Sequence, residues 1–166
     1  MPASDQKVTV DRYTLVPRTL IFLVQGDEVL LILGGPHKRL WANRYNGVGG
    51  HVERGEDPLS AARRELFEET GLEADDLRLV GVITIDTGEK TGIGIYVFRG
   101  DLLHGSLAAS PEGLLEWVNI LALPGLPLVE DLSVLLPRVL AASRESPPFS
   151  GQYQYDKVGH LSISFA

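Results

Sequence analysis

The sequence contains no cysteine. This absence excludes disulfide bonds, thiolate nucleophiles and sulfur-ligated zinc, and it is compatible with a reducing compartment. Long apolar runs are also missing, because the longest, LIFLV and VLLIL, are too short to span a bilayer. The first residues do not have the basic and then apolar layout of a signal peptide. We therefore expect a cytoplasmic protein without a membrane partner.

Positive charge is scarce relative to negative charge. There are 15 Lys and Arg residues against 22 Asp and Glu residues, so the formal net charge is −7. Sequence-independent binding to DNA or RNA requires a basic surface, and we therefore expect no nucleic-acid polymer as a partner. Several catalytic signatures are also missing, since the sequence has no P-loop, no GxSxG elbow and no HExxH pair.

The apolar segments predict a protein of mixed secondary structure. Asp57 and Pro58 are typical of a helix start and Gly71 of a helix end. A second helix is predicted over 129–144, with Pro137 inside it. This order of strands and helices favours an α+β fold, or an α/β/α sandwich on a mixed sheet. The predicted strands are residues 19–24, 28–33, 77–86, 91–100 and 116–120.

The length of 166 residues fits one domain. Residues 1–12 are polar and are expected to form a flexible N-terminal segment. Residues 13–166 then form the single domain, which ends in a predicted hairpin at about 149–166.

Three glutamates stand close together in the segment RRELFEET, which covers residues 63–70. On a helix, Glu65, Glu68 and Glu69 fall beside the apolar stripe of Leu59, Ala62 and Leu66. Like charges at this spacing repel each other by a few tenths of a kcal/mol per pair, by an order-of-magnitude estimate. Two interpretations remain open on this segment alone: a site for a hard divalent cation such as Mg²⁺ or Mn²⁺, or a solvated acidic helix face.

The longer spacing around these glutamates favours the first interpretation. Residues 50–72, GHVERGEDPLSAARRELFEETGL, fit the pattern G-x₅-E-x₇-R-E-U-x-E-E-x-G-U at every fixed position, where U is aliphatic. This segment resembles the Nudix box of the MutT/Nudix hydrolases, and the strand order around it is similar to the Nudix fold. The resemblance implies a Nudix fold with a mixed β-sheet between helices.

The resemblance also implies a metal site. Glu65 and Glu69 would be the main metal ligands, and Glu68 would bind a further metal directly or through water. Gly50 would offer its backbone carbonyl, and Arg64 would orient a neighbouring glutamate. The expected cofactor is Mg²⁺, with Mn²⁺ as a substitute. Glu56 would fix the loop–helix geometry, or it would serve only as a cap or salt-bridge partner.

Two glutamates remain alternatives for the general base. Glu65 is one of them. The other is a loop glutamate outside the box, for which SPEGLLEW offers Glu112, five residues before Trp117. Glu112 would also bind metal. Glu116 is its rival, although Glu116 begins a predicted strand.

Substrate residues are expected around RYNG and LVED. By resemblance to oxidised-nucleotide hydrolases, Asn46 would recognise a purine, with Tyr45 or Trp41 in the pocket. The alternative for Asn46 is a simple turn residue, because Asn-Gly is common in turns. Glu130 and Asp131 would read the base, or they would only lie at a helix N-terminus. One or two of the cations near this region would hold distal phosphates. These cations are Arg18, Lys38, Arg39 and Arg44.

The resemblance implies a hydrolase whose partner is a small-molecule nucleotide. The predicted reaction converts a nucleoside triphosphate, such as 8-oxo-dGTP, to the monophosphate and pyrophosphate. One alternative is hydrolysis of ADP-ribose or another compound linked to a nucleoside diphosphate. A second is a nucleotide sensor that binds without turnover. The sequence leaves open whether the protein is a monomer or a homodimer.

Overall fold

The fold is built on one mixed, eight-stranded sheet. The computed structural model describes residues 2–6 and 11–166. The predicted flexible segment 1–12 includes residue 1 and residues 7–10, which lie outside the described residues.

The strands of this sheet are β1 (Thr14–Gln25), β2 (Glu28–Gly34), β3 (Tyr45–Asn46), β5 (Arg78–Asp86), β6 (Thr91–Gly100), β8 (Gly113–Asn119), β9 (Phe149–Tyr155) and β10 (Leu161–Phe165). Their order in the sheet is β10-β9-β5-β6-β1-β2-β3, and β8 also pairs with β2. A separate two-stranded sheet contains β4 (Leu72–Ala74) and β7 (Leu103–Gly105).

Two helices cover opposite faces of the large sheet. Successive residues of a strand point to opposite faces. In β1, Ile21 and Leu23 pack with α1 (Pro58–Thr70), whereas Phe22 and Val24 pack with α2 (Leu132–Ala141). The sheet is mixed because β1 runs parallel to β6 and β5 parallel to β9, while the other pairs are antiparallel. The predicted fold class, a mixed sheet between helices, is confirmed.

The helix that carries the glutamates has well-defined ends. The Asp57 carboxylate accepts hydrogen bonds from the backbone amides of Leu59 and Ser60, at 2.9 and 3.0 Å. Gly71 has φ +71°, and its amide donates to the Phe67 carbonyl at 2.8 Å. Only glycine adopts this left-handed conformation without a Cβ penalty. The predicted start and end of α1 are confirmed.

The sheet opens along one edge of β1. Strand β1 pairs with β2 only at its last two residues, Val24 and Gln25. The rest of this edge bonds to residues 48–52, where the amides of Thr19 and Ile21 donate to the carbonyls of Gly50 and Val48 at 2.8 and 2.7 Å. The segment that leads into α1 therefore lies in a cleft between β1 and β2.

Helix α2 covers residues 132–141 and is shorter at both ends than the predicted 129–144. At its start, Val129 donates its amide to the Tyr45 carbonyl at 3.0 Å, so its backbone is committed to the neighbouring strand. At its end, the Arg99 guanidinium donates to the carbonyls of Val139 and Leu140 at 3.0 and 2.7 Å. These tertiary bonds stop the helix and hold it against β6. No helix in the described part of the chain is long and apolar enough to cross a membrane.

Candidate active site

A cavity of about 430 Å³ lies where the opened edge of β1 meets the loop before α1 and the second half of that helix. Its wall combines carboxylates with apolar and aromatic side chains. The floor crosses the sheet, because its residues come from β1, β6, β5, β9 and β10 in turn. The residues that line the cavity include Arg18, Leu20, Trp41, Asn46, Gly50, Glu53, Glu65, Glu69, Ile85, Ile95, Glu112, Asp131, Tyr153, Tyr155 and Leu161.

Glu69 is a partly buried carboxylate of the cavity wall. Burial raises the pKa of Glu69 to about 7, and the nearby carboxylates of Glu65 and Glu112 raise it further. Its Oε2 accepts one hydrogen bond, from the Gly49 amide at 3.2 Å. Glu65 lies against Gly50, where a Cβ would collide with its carboxylate. Only glycine at position 50 leaves room for the Glu65 side chain.

Arg64 connects this helix to the loop before it. Its Nη1 donates to Glu65 Oε1 at 2.8 Å, and its Nη2 donates to the His51 carbonyl at 3.1 Å. Its Nε and Nη2 also bind the two oxygens of Glu56, at 2.7 and 2.9 Å. These bonds hold the pKa of Glu56 at about 2. Arg64 thus binds Glu65 from outside the cavity. Glu56 forms a salt bridge with Arg64 and so connects the loop to the helix.

The other acidic residues differ in their access to the cavity. Glu68 is 58% exposed, contacts Arg64 at 3.2 Å and does not line the cavity. Glu112 lines it and forms an ion pair with Lys38. Glu116 instead accepts a hydrogen bond from the Tyr45 hydroxyl. Of Glu112 and its rival Glu116, the structure therefore brings Glu112 to Glu65 and Glu69.

The carboxylates of the site do not form a ready metal-binding group among the described residues. Within residues 2–6 and 11–166, no three His, Cys, Asp or Glu side chains are grouped in a way that could hold a metal ion. Each carboxylate is held by another group, as Arg64 holds Glu65 and Lys38 holds Glu112. A divalent cation would have to draw Glu112 from Lys38 before three carboxylates could meet. The donors are all oxygen atoms, which are the ligands that Mg²⁺ prefers.

Other residues that line the cavity carry polar groups suited to a base. Asn46 Oδ1 accepts a hydrogen bond from the Gly47 amide at 2.8 Å, and no bond of its amide nitrogen is found within the described residues. Burial raises the pKa of Asp131. Tyr153 is 1% exposed, and its hydroxyl lies near Asp131 without reaching a hydrogen-bond partner among the described residues. Asn46 and Asp131 therefore face one cavity.

Two of the predicted substrate residues lie elsewhere. The Tyr45 side chain is turned towards Glu116 and does not line the cavity, because neighbouring residues of a strand point to opposite faces and Asn46 takes the inner one. Glu130 is exposed and borders a neighbouring depression with His160 and Leu161. The structure brings only one member of each predicted pair, Asn46 and Asp131, to the cavity.

The sequence interpretation missed much of the cavity wall. Tyr153 and Tyr155 belong to β9, and Ile85 and Ile95 belong to β5 and β6. The alternation of tyrosines in FSGQYQY places both on one face of a strand, and this was the available signal. It could not indicate which face would meet the cavity, because β9 reaches it by pairing with β5, more than 60 residues earlier.

Comparison with known proteins agrees with this geometry. The model of the NUDIX domain matches residues 14–139. The oxidized purine nucleoside triphosphate hydrolase of Danio rerio is 35% identical over 143 residues, which are 86% of each chain. Its counterpart in Mus musculus is 33% identical over 138 residues, covering 82% of this chain and 85% of the relative. The crystal structure of a MutT protein from Bacillus halodurans superposes with a TM-score of 0.77 and 26% identity, covering 91% of this chain and 97% of that one. The chain belongs to the Nudix hydrolase family.

Proposed function

We propose that this protein hydrolyses nucleoside triphosphates of modified purines, such as 8-oxo-dGTP, to the monophosphate and pyrophosphate. The observation that carries the proposal is the joint placement in one cavity of the carboxylates of Glu65, Glu69 and Glu112 and of the polar side chains of Asn46 and Asp131. The first set suits a metal-bound phosphate chain and the second suits a purine edge. The two hydrolases of oxidized purine nucleoside triphosphates among the relatives support the choice of base.

Mg²⁺ is the proposed cofactor, with Mn²⁺ as a substitute. Glu65, Glu69, Glu112 and the Gly50 carbonyl would hold it, and Glu68 would act through water from its exposed position. The burial of Glu69 between two other carboxylates supports this assignment, because a cation there would offset their repulsion. When bound, a divalent cation neutralises phosphate oxygens and makes a water molecule more acidic.

The residues of the chain have separate roles in the proposed reaction. Glu112 accepts a proton from the attacking water, and Glu65 is the alternative base. Arg64 keeps Glu65 in place through its bond of 2.8 Å. One phosphorus–oxygen bond of the linkage between the α- and β-phosphates breaks as the water oxygen bonds to the attacked phosphorus, and the products are the monophosphate and pyrophosphate.

Base recognition follows from the other polar groups of the cavity wall. The amide nitrogen of Asn46 donates to an acceptor on the purine edge, and Asp131 contributes an oxygen. Burial raises the pKa of Asp131, so its carboxyl holds a proton to a higher pH than an exposed aspartate and can donate as well as accept. Trp41 and Tyr155 lie at the rim as apolar surfaces for the ring.

We further infer that the substrate is a free nucleotide in the cytoplasm and that residues 13–166 act as one unit. No nucleic-acid polymer or membrane takes part in the proposed reaction. The protein works as a monomer or a homodimer.

Product analysis tests the proposed function. Purified protein with Mg²⁺ would be given 8-oxo-dGTP, the four ordinary dNTPs, ADP-ribose and a diadenosine polyphosphate. We expect pyrophosphate and a monophosphate, with 8-oxo-dGTP the fastest substrate, and loss of turnover in excess EDTA. Cleavage of ADP-ribose or the diadenosine compound alone would overturn the proposed substrate. Nucleotide binding without any cleavage would favour a sensor, and turnover in EDTA would exclude the metal site.

A further inference from the structure

Arg18 differs from the other partly buried arginines of the protein. Arg64, Arg78 and Arg99 are also partly buried, and each forms an ion pair with a carboxylate. Arg18 has no ion pair with the described residues, and its Nε is inaccessible to solvent without a hydrogen-bond partner there. Burying an unpaired polar group costs free energy. The protein therefore keeps a cation here that its own side chains do not neutralise.

The position of Arg18 places it in the same cavity as the carboxylates. Arg18 forms an isolated bridge with His51, and its neighbour Thr19 bonds to Gly50 in both directions, at 2.8 and 3.3 Å. Arg18 lies on β1, and both Arg18 and Glu65 line the cavity. An anion bound in this cavity therefore shares it with the Arg18 side chain.

Arg18 and Leu20 lie at different positions along the edge of β1. Arg18 and Leu20 point to the same face of β1 because they are two residues apart. Leu20 lies against Gly47, beside Asn46, whereas Arg18 lies beside His51. Along the edge of β1, Arg18 thus lies beside the loop that leads into α1, whereas Leu20 lies closer to Asn46.

Arg18 is a cation in a cavity wall whose other charged residues are acidic. It is the one Lys or Arg among the described residues that line this cavity, where Glu53, Glu65, Glu69 and Glu112 supply negative charge. A triphosphate chain brings several further negative charges. A guanidinium binds two phosphoryl oxygens at once through its planar fork.

We propose that Arg18 binds the terminal phosphates of the substrate and so selects nucleoside triphosphates against nucleoside diphosphates and diphosphate-linked compounds. This inference rests on the proposed function and names a residue that determines its substrate class. Arg18 holds the part of the substrate that leaves as pyrophosphate.

The test compares Arg18→Gln and Arg18→Lys with the wild type, and Arg63→Gln serves as a matched control. Arg63 is an exposed arginine of α1 outside the cavity. With Mg²⁺, we expect Arg18→Gln to lower kcat/KM for 8-oxo-dGTP by about 10- to 100-fold, the scale of a lost charge-assisted hydrogen bond. The value for 8-oxo-dGDP should change much less, Arg18→Lys should be intermediate, and Arg63→Gln should match the wild type. Equal losses for both nucleotides, or none, would overturn the proposal.

Calorimetry with inorganic pyrophosphate and Mg²⁺ separates this inference from the proposed function. We expect Arg18→Gln to weaken pyrophosphate binding by about 10-fold or more without lowering the melting temperature, since no bond within the described residues is lost. Unchanged pyrophosphate affinity would overturn the role of Arg18 even if triphosphates are hydrolysed. If the wild type cleaves no triphosphate but Arg18→Gln still weakens pyrophosphate binding, the anion site is supported and only the proposed function is overturned.

Discussion

Three glutamates within five residues occupy three different environments. Glu68 is mostly exposed, Glu65 is 15% exposed and paired with Arg64, and Glu69 is partly buried with its pKa raised to about 7. A helix turns by about 100° per residue. When one side of the helix is covered, residues that are neighbours in sequence are therefore buried to different extents. The repulsion within RRELFEET is therefore concentrated at Glu69, where a cation would relieve it.

Substitution of Glu69 tests the metal site directly. Glu69→Gln keeps the shape of the side chain and removes its charge. We expect turnover to fall by at least about 100-fold, because loss of even an outer partner of a metal ligand typically costs 10- to 100-fold. Mg²⁺ affinity measured by calorimetry should fall with it. Glu89→Gln, in the exposed turn between β5 and β6, is the control. A Glu69→Gln enzyme with normal turnover would mean that the metal is held elsewhere.

A matched pair of variants tests whether Glu112 or Glu116 is the general base. Glu112→Gln should reduce turnover by about 100-fold or more, as expected for a general base. Glu116→Gln should leave turnover near that of the wild type, because its carboxylate binds Tyr45 outside the cavity. Its effect should appear in stability, as a loss of about 1 kcal/mol in urea unfolding. The reverse pattern of rates would identify Glu116 as the base.

At the scale of the element, α1 and the loop before it form one unit. Arg64 on the helix and Glu56 in the loop make two parallel bonds, and Glu56 also accepts from the Glu53 amide at 3.0 Å. The same arginine reaches His51 and Glu65. One guanidinium therefore fixes the helix, the loop and a proposed metal ligand relative to each other.

The pH dependence of stability tests this unit. Arg64 lowers the pKa of Glu56 from 4.5 to about 2 in the folded protein. A depressed folded pKa gives stability that is present above the unfolded pKa and is lost as pH falls towards the folded value. The difference in unfolding free energy between wild type and Glu56→Gln should therefore be constant near pH 7. It should shrink between about pH 4.5 and pH 2, as measured by urea titration. A difference that does not change with pH would show that the ion pair does not support the fold.

At the scale of the whole molecule, the site depends on the incomplete pairing of β1 and β2. Only two residue pairs join these strands, and the segment 48–52 takes the rest of the β1 edge. The carboxylates approach from the α1 side of this cleft. Strands β5, β6 and β9, with Asp131 before α2, supply other parts of the cavity wall. The cavity exists only when all of these parts are assembled.

Metal binding should therefore stabilise the whole fold. A ligand that binds only the native state adds about 2.7 kcal/mol when its free concentration is 100 times its Kd. For a domain of this size that corresponds to a rise in Tm of about 5 to 10 °C. Scanning calorimetry with Mg²⁺ and with EDTA would measure the shift, and Glu69→Gln should show much less of it. An identical Tm in both buffers would contradict a metal site formed by the folded chain.

The local pattern of residues was sufficient for helix α1 and for the family. Asp57, Pro58 and Gly71 act through their own backbone neighbours, so the ends of α1 could be predicted from their positions alone. The spacing from Gly50 to Leu72 likewise identified the Nudix box. The ends of α2 could not be predicted in this way, because Arg99, about 40 residues before the end of that helix, caps its last carbonyls.

The composition of the site was decided by the tertiary structure. Periodicity shows that Tyr45 and Asn46 point to opposite faces, and only the packed sheet determines that Asn46 faces the cavity. Tyr153 and Arg18 carry no local signal of function, because their significance lies in unpaired atoms, one near Asp131 and the other in a residue that lines the same cavity as Glu65. A sequence pattern records which side chains are available. The absence of a partner in space is a property of the folded chain alone.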